Sequence, residues 1–131
     1  MNEKINLALE KPEDAYNQLH EGIALAKDEL DKDGVIQRFE FTFELLWKTL
    51  KIFLEYQGID VRTPRDTFKE SFRIELITDN EVFLDMLEDR NKSSYIYNKQ
   101  VSDEIFERIK MNYIWVIEKV LVSLKEKISN E

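Results

Sequence analysis

Apolar positions in this chain recur at intervals of three and four almost from end to end, the spacing of helices that each bury one face. The longest such run lies between Val35 and Gly58. Within it Val35, Phe39, Phe43, Leu46, Leu50 and Phe53 share one narrow face, and Ile36, Trp47 and Leu54 widen it. A second group, Phe41, Leu45, Ile52 and Tyr56, falls on the far side, leaving a thin strip of Gln37, Glu40, Glu44, Lys48, Lys51 and Glu55 for water. A helix this apolar needs cover on two sides, from its own chain and from a partner. Glu44 and Lys48, and Lys51 and Glu55, stand four apart and can pair their charges. Gly58 suits the position just past a helix end.

Four more helical stretches follow from the same spacing. The first covers about Ile5 to Leu30, with a stripe of Tyr16, Leu19, Ile23, Ala26 and Leu30 and with Pro12 either starting a helix or bending one. His20 lies beside that stripe and reads as a partly exposed helical histidine. Asp31 to Gly34 reads as a polar turn into the central helix. Thr63-Pro64-Arg65-Asp66 is a helix start in which Thr63 caps, Pro64 takes the first position and Asp66 reaches back, after which Phe68, Phe72 and Leu76 face inward. Thr78-Asp79-Asn80-Glu81 opens a fourth helix, whose buried face is set by Phe83, Met86 and Leu87 and continues, if the helix stays regular, to Arg90, Ser94 and Tyr97. The last helix, about Val101 to Ile128, is capped by Ser102 and carries Ile105, Ile109, Tyr113, Val116, Val120 and Leu124 on one stripe, with Trp115 and Val122 pointing away. The expected fold class is all-α.

Arg90 is the exception in this pattern, because a guanidinium on an inward stripe must be paired or face a cleft. An ion pair with Glu88, Asp89 or a glutamate of the central helix is the plain structural account.

Composition narrows the chemistry. A chain of 131 residues is one domain, 1–131, large enough to bury a core without metal or disulfide support. The absence of cysteine removes thiolate catalysis and cysteine metal sites, and a single histidine removes histidine-rich ones, so neither a metal nor another cofactor is expected. A formal charge of −8 argues against a broad duplex-binding surface. No stretch approaches the length of a membrane span and the first residues lack the pattern of a signal peptide, so a cytoplasmic protein is expected.

Several stretches, in order, resemble one known family: Ile36-Gln37-Arg38-Phe39-Glu40-Phe41-Thr42-Phe43-Glu44-Leu45, Trp47-Lys48-Thr49-Leu50-Lys51, Glu55-Tyr56-Gln57-Gly58, Pro64-Arg65-Asp66 and Leu87-Glu88-Asp89-Arg90-Asn91. From about residue 15 to 125 the chain is similar to the nucleotidyltransferase substrate-binding proteins of the HEPN superfamily. That resemblance implies an up-and-down bundle of four to five helices, a homodimer, and a separate minimal nucleotidyltransferase as partner, with a nucleotide or small substrate bound between them. It supplies a use for the second apolar surface: Phe41, Leu45, Ile52, Tyr56 and Trp115 become the candidate dimer interface.

The same resemblance gives Arg90 a second reading. Ribonucleases and toxins of the superfamily use an arginine followed after four to six residues by a histidine, and some are silenced when the partner adenylylates a tyrosine two residues beyond. Arg90 and Asn91 match the arginine and the polar residue after it, and Tyr97 matches the adenylylation acceptor, so Arg90, Asn91, Tyr95 and Tyr97 form the candidate cleft. The histidine position holds Tyr95. A free tyrosine titrates near pH 10 and is a poor base for a 2′-hydroxyl at neutral pH. The expected role is therefore a non-catalytic binding subunit, with an RNA-cleaving toxin of a toxin-antitoxin pair, or a purely structural oligomerisation module, as the alternatives.

Overall fold

A computed structural model describes residues 3–92 and 98–130. Its helices are α1 (Glu3–Leu25), α2 (Glu29–Tyr56), α3 (Pro64–Arg73), α4 (Asn80–Lys92), α5 (Lys99–Arg108) and α6 (Ile114–Ser129), with a π-helical turn, Ile109–Tyr113, joining the last two into one rod. The fold is an all-helical bundle. Side-chain pairs set the directions. Arg38 donates to the Gln18 carbonyl and Thr49 to that of Ala8, so α1 and α2 are antiparallel. Tyr16 meets Glu118 and Glu13 meets Lys125, so α6 also runs against α1. The long rods thus run up and down, and short α3 lies between α2 and α4.

The core is built on α2. Phe39 stacks on Tyr113 of the π turn at 5.5 Å and leads through Phe43 to Phe68 of α3 and Phe83 of α4, with neighbouring ring centroids 5.0–6.0 Å apart. Four of the five rods therefore meet on one aromatic column, and the six residues assigned to the narrow face of α2 are all buried. Both charge pairs on its exposed strip are present, Lys48–Glu44 at 3.7 Å and Lys51–Glu55 at 3.9 Å.

The helix ends show why each element stops where it does. Thr63 accepts from the Asp66 amide at 3.1 Å with Pro64 as the first helical residue, and Asp79 accepts from the amides of Glu81 and Val82. At the end of α2, Gly58 sits at φ 79° while its amide bonds to the Glu55 carbonyl and that of Ile59 to Leu54, the paired bonds of a Schellman stop. The end of α3 repeats these bonds, Glu75 to Phe72 and Leu76 to Ser71, with Glu75 in the left-handed position at φ 63°.

Several boundaries and faces differ from expectation. The first helix ends at Leu25 and Asp31 to Gly34 lie inside α2, because Asp28 caps at the Asp31 amide while the Asp31 carboxylate accepts from the Lys27 amide. Pro12 lies within α1 and starts no helix. It has no N–H to give the Ala8 carbonyl four residues back, and Thr49 Oγ1 of α2 donates there instead, at 3.2 Å. Phe72 is 48% exposed, since α3 stops at Arg73 and turns Ser71 inward. The cap before the last rod is Asn98, at the Val101 amide, whereas Ser102 is buried and donates to Asp33. Beyond the π turn the buried stripe passes through Ile117, and Val116 is only partly buried, because the extra residue in that turn rotates everything after it.

Candidate functional site

The C-terminal turn of α4 places two charged residues side by side in different surroundings. Asp89, 4% exposed, accepts from Arg108 Nε at 2.7 Å and Nη2 at 2.8 Å, and from the Tyr113 hydroxyl at 2.5 Å. Arg108 and Tyr113 are five residues apart and would diverge on an ordinary α-helix. In the π turn between them, residues five apart come nearly into line, which lets both reach one carboxylate. The Tyr113 hydroxyl is held well above its usual pKa, first by burial and then by its hydrogen bond to Asp89. Arg108 is raised chiefly by its hydrogen bond to the same carboxylate.

The buried face of α4 thus runs Val82, Phe83, Met86, Asp89, and Arg90 stands at its flank. Arg90 Nη2 donates to Glu44 of α2, and Nη1 to Asn91. Glu44 also accepts from Trp47 Nε1 at 3.2 Å and faces Lys48. The ion pair with a central-helix glutamate is therefore present. Glu44 and Arg90 each keep about a third of their side-chain surface, so water reaches the pair. Tyr95 and Tyr97, the other two cleft candidates, lie outside the described residues.

Along α2 the second apolar group forms a stripe, with Phe41 54% exposed, Tyr56 exposed, and Leu45 and Ile52 partly so. Glu44, three residues on from Phe41, borders it, and this puts Arg90 at its edge. Phe41 and Leu45 also line an open groove with Lys11, Asp14 and Gln18 of α1. Trp115 is not brought onto this stripe. It stands beside His20 at the seam of α1 and α6, 6.3 Å between rings, with Tyr16 on the other side of His20 at 6.0 Å. Tyr16 and His20 lie about half a turn around α1 from Asp14 and Gln18, so α1 separates Trp115 from Phe41 and Leu45. The Tyr16 hydroxyl, donating to Glu118 at 2.6 Å, is raised by burial first and by that carboxylate second.

The Asp89, Arg108 and Tyr113 cluster was not anticipated. Its one sequence signal was the offset of the last stripe, in which Ile105, Ile109 and Tyr113 keep a spacing of four through residues that α-helical drift would carry off the face. Among the described residues no group of three histidine or acidic side chains is placed to hold a metal ion. None of the described helices is long and apolar enough to cross a membrane.

Comparison with known proteins places this architecture. A crystal structure of ttk003001694 from Thermus thermophilus superposes with a TM-score of 0.81 at 32% identity, covering 86% of this chain and 98% of that one. HI0074 from Haemophilus influenzae, described as having the fold of a substrate binding domain of a nucleotidyltransferase, shares the fold at a TM-score of 0.70 and 21% identity, over 94% of this chain and 98% of that one. No curated protein matches the sequence. The model of one family, described as nucleotidyltransferase substrate binding protein like, matches residues 7–126, nearly the whole chain, and the chain belongs to that family.

Proposed function

We propose that this protein is a non-catalytic binding subunit that pairs with a second copy of itself through the α2 stripe and assembles with a separate nucleotidyltransferase, whose substrate site it helps to form. The observation that carries this reading is the position of the Arg90–Glu44 pair at the edge of a stripe of exposed apolar side chains, Phe41 and Tyr56 among them, on a helix whose other face is already buried. Pairing two copies along that stripe covers the apolar surface and brings two Arg90 side chains toward one cleft. Two guanidiniums in one cleft repel each other, and an anion such as a phosphate or nucleotide offsets that repulsion better than the two glutamates alone. Trp115 and His20, on the other side of α1, are left for the nucleotidyltransferase.

Nucleotidyl transfer is the partner's chemistry in this reading, and Tyr97 is its acceptor if the partner modifies the subunit. Ribonuclease action is the weaker reading, because Tyr95 occupies the position of the base. The test is to inspect the neighbouring reading frames for a short nucleotidyltransferase and to co-express the pair, followed by native mass spectrometry. A stoichiometric complex that weakens in Arg90→Ala or Trp115→Ala supports the proposal. Two well-folded proteins that never co-purify, or the lack of any such neighbouring frame, contradict it.

A further inference from the structure

At the opposite end of α4 from Arg90 lies a cleft of about 430 Å³, enclosed by the α3–α4 connection, α4, the π turn and α6. Its floor is apolar: Leu76, Ile77, Val82, Phe83, Val116 and Val120. Four carboxylates, Glu75, Asp79, Glu81 and Asp85, stand around it against one cation, Lys119. Asp79 is occupied in capping α4. Glu75, Glu81 and Asp85 are exposed and, among the described residues, enter no ion pair, which leaves their charge to the opening. Asn112, carried by the π turn, and Ser123 add neutral polar groups to the lining.

We infer that this cleft binds a small organic cation, with an ammonium group among Glu75, Glu81 and Asp85 and a compact apolar or aromatic body on the floor of valines and Phe83. The volume falls within the range of small-molecule sites, roughly 300–1,000 Å³. The ligand's own apolar surface leaving water supplies the binding energy, and the carboxylates supply the sign: like charges held around one opening repel each other, and a cation relieves that repulsion while an anion increases it. Lys119 and Asn112 can meet an acceptor oxygen on the same ligand. The inference deepens the substrate-binding reading, since it names the class of acceptor such a subunit would present, but binding at this cleft needs neither a twin nor a partner.

The experiment is an amide-resolved NMR titration of the full chain with 2-phenylethylamine and, separately, with 3-phenylpropionate, which has the same body and the opposite charge. The amine should shift the amides of Ile77, Val82 and Val120, and the acid should leave them unmoved. Asp85→Asn and Glu81→Gln, both exposed and expected to fold, should each weaken the amine about two- to fivefold, the scale of an exposed ion pair. Val116→Trp should block the cleft and abolish the shifts while far-UV circular dichroism stays unchanged. Equal binding of amine and acid, or amine affinity unchanged in Asp85→Asn and Glu81→Gln, overturns the cation assignment. Shifts confined to other residues, or seen only when a nucleotidyltransferase segment is added, overturn the site. Since the chain is titrated alone, failure here is distinct from failure of the two-component reading, which rests on co-purification.

Discussion

Asp89 and Arg90 are neighbours in sequence and make opposite uses of charge. Asp89 is buried, and all its partners are its own chain: a bidentate guanidinium and a phenol. Arg90 is one residue on, about 100° around the helix, and its partner Glu44, open to water, is also held by an indole and a lysine. A buried, fully paired carboxylate specifies packing, and removing one member leaves the others stranded. A half-exposed pair is worth little to folding and can exchange its partner for a ligand at small cost. The difference separates the part of α4 that holds the bundle together from the part available for binding.

The largest effect should come from Asp89→Ala. It strands Tyr113 and removes both Arg108 hydrogen bonds, and with Arg108 partly solvated the loss should be about 2–4 kcal/mol. Urea denaturation checks it, and a loss under about 1 kcal/mol would mean that the cluster does not anchor the bundle. Tyr113→Phe removes one hydrogen bond and leaves the Asp89–Arg108 fork, for a loss of about 1–2 kcal/mol.

The same tyrosine carries a pH signature. Its folded pKa is raised, so the folded state holds this proton more tightly than the unfolded chain does. Its contribution is fully present below the unfolded value near 10 and is lost as pH rises from there toward the folded value. Tyr113→Phe should flatten the fall in stability above pH 10. In an absorbance titration, Tyr16 and Tyr113 should ionise above the range of a free phenol.

At the α3 stop the expected change has the other sign. Glu75→Gly relieves a left-handed residue at φ 63° and should stabilise the fold by about 1 kcal/mol, read as a rise in the urea midpoint. The smallest effect on stability belongs to Arg90→Ala, at most about 1 kcal/mol. A loss as large as that of Asp89→Ala would erase the contrast and make Arg90 a folding residue.

Much of this arrangement was legible in the sequence. The faces of α2, the Thr63-Pro64 start, the Thr78 to Glu81 start and the Gly58 stop rest on local chemistry, and local chemistry is what a sequence displays. The first turns of α2 were misread because Asp31-Lys32-Asp33-Gly34 has the composition of a loop, and only the choice of Asp28 as cap puts it in the helix. Phe72 was placed inward because a spacing of four runs from Phe68 through it to Leu76, whereas Leu76 reaches the core from beyond the left-handed Glu75 and not along the face of α3. Asp89 was read only as a candidate partner for Arg90, since its own partners are 19 and 24 residues away and reach it through a π turn that apolar spacing hardly announces. Arg90 was found because a cation broke an apolar stripe. An acid that joins the same stripe one residue earlier gave no such contrast.

The central claim is that the exposed face of α2 pairs two copies and closes the cleft edged by Arg90. Sedimentation of the purified protein against Leu45→Glu/Ile52→Glu and Phe41→Glu, each verified as folded by circular dichroism, tests it most directly. Pairing through this face predicts a dimer at micromolar concentration for the unaltered chain and folded monomers for both variants. An unaltered chain that sediments as a monomer, or folded variants that remain dimers, would contradict it.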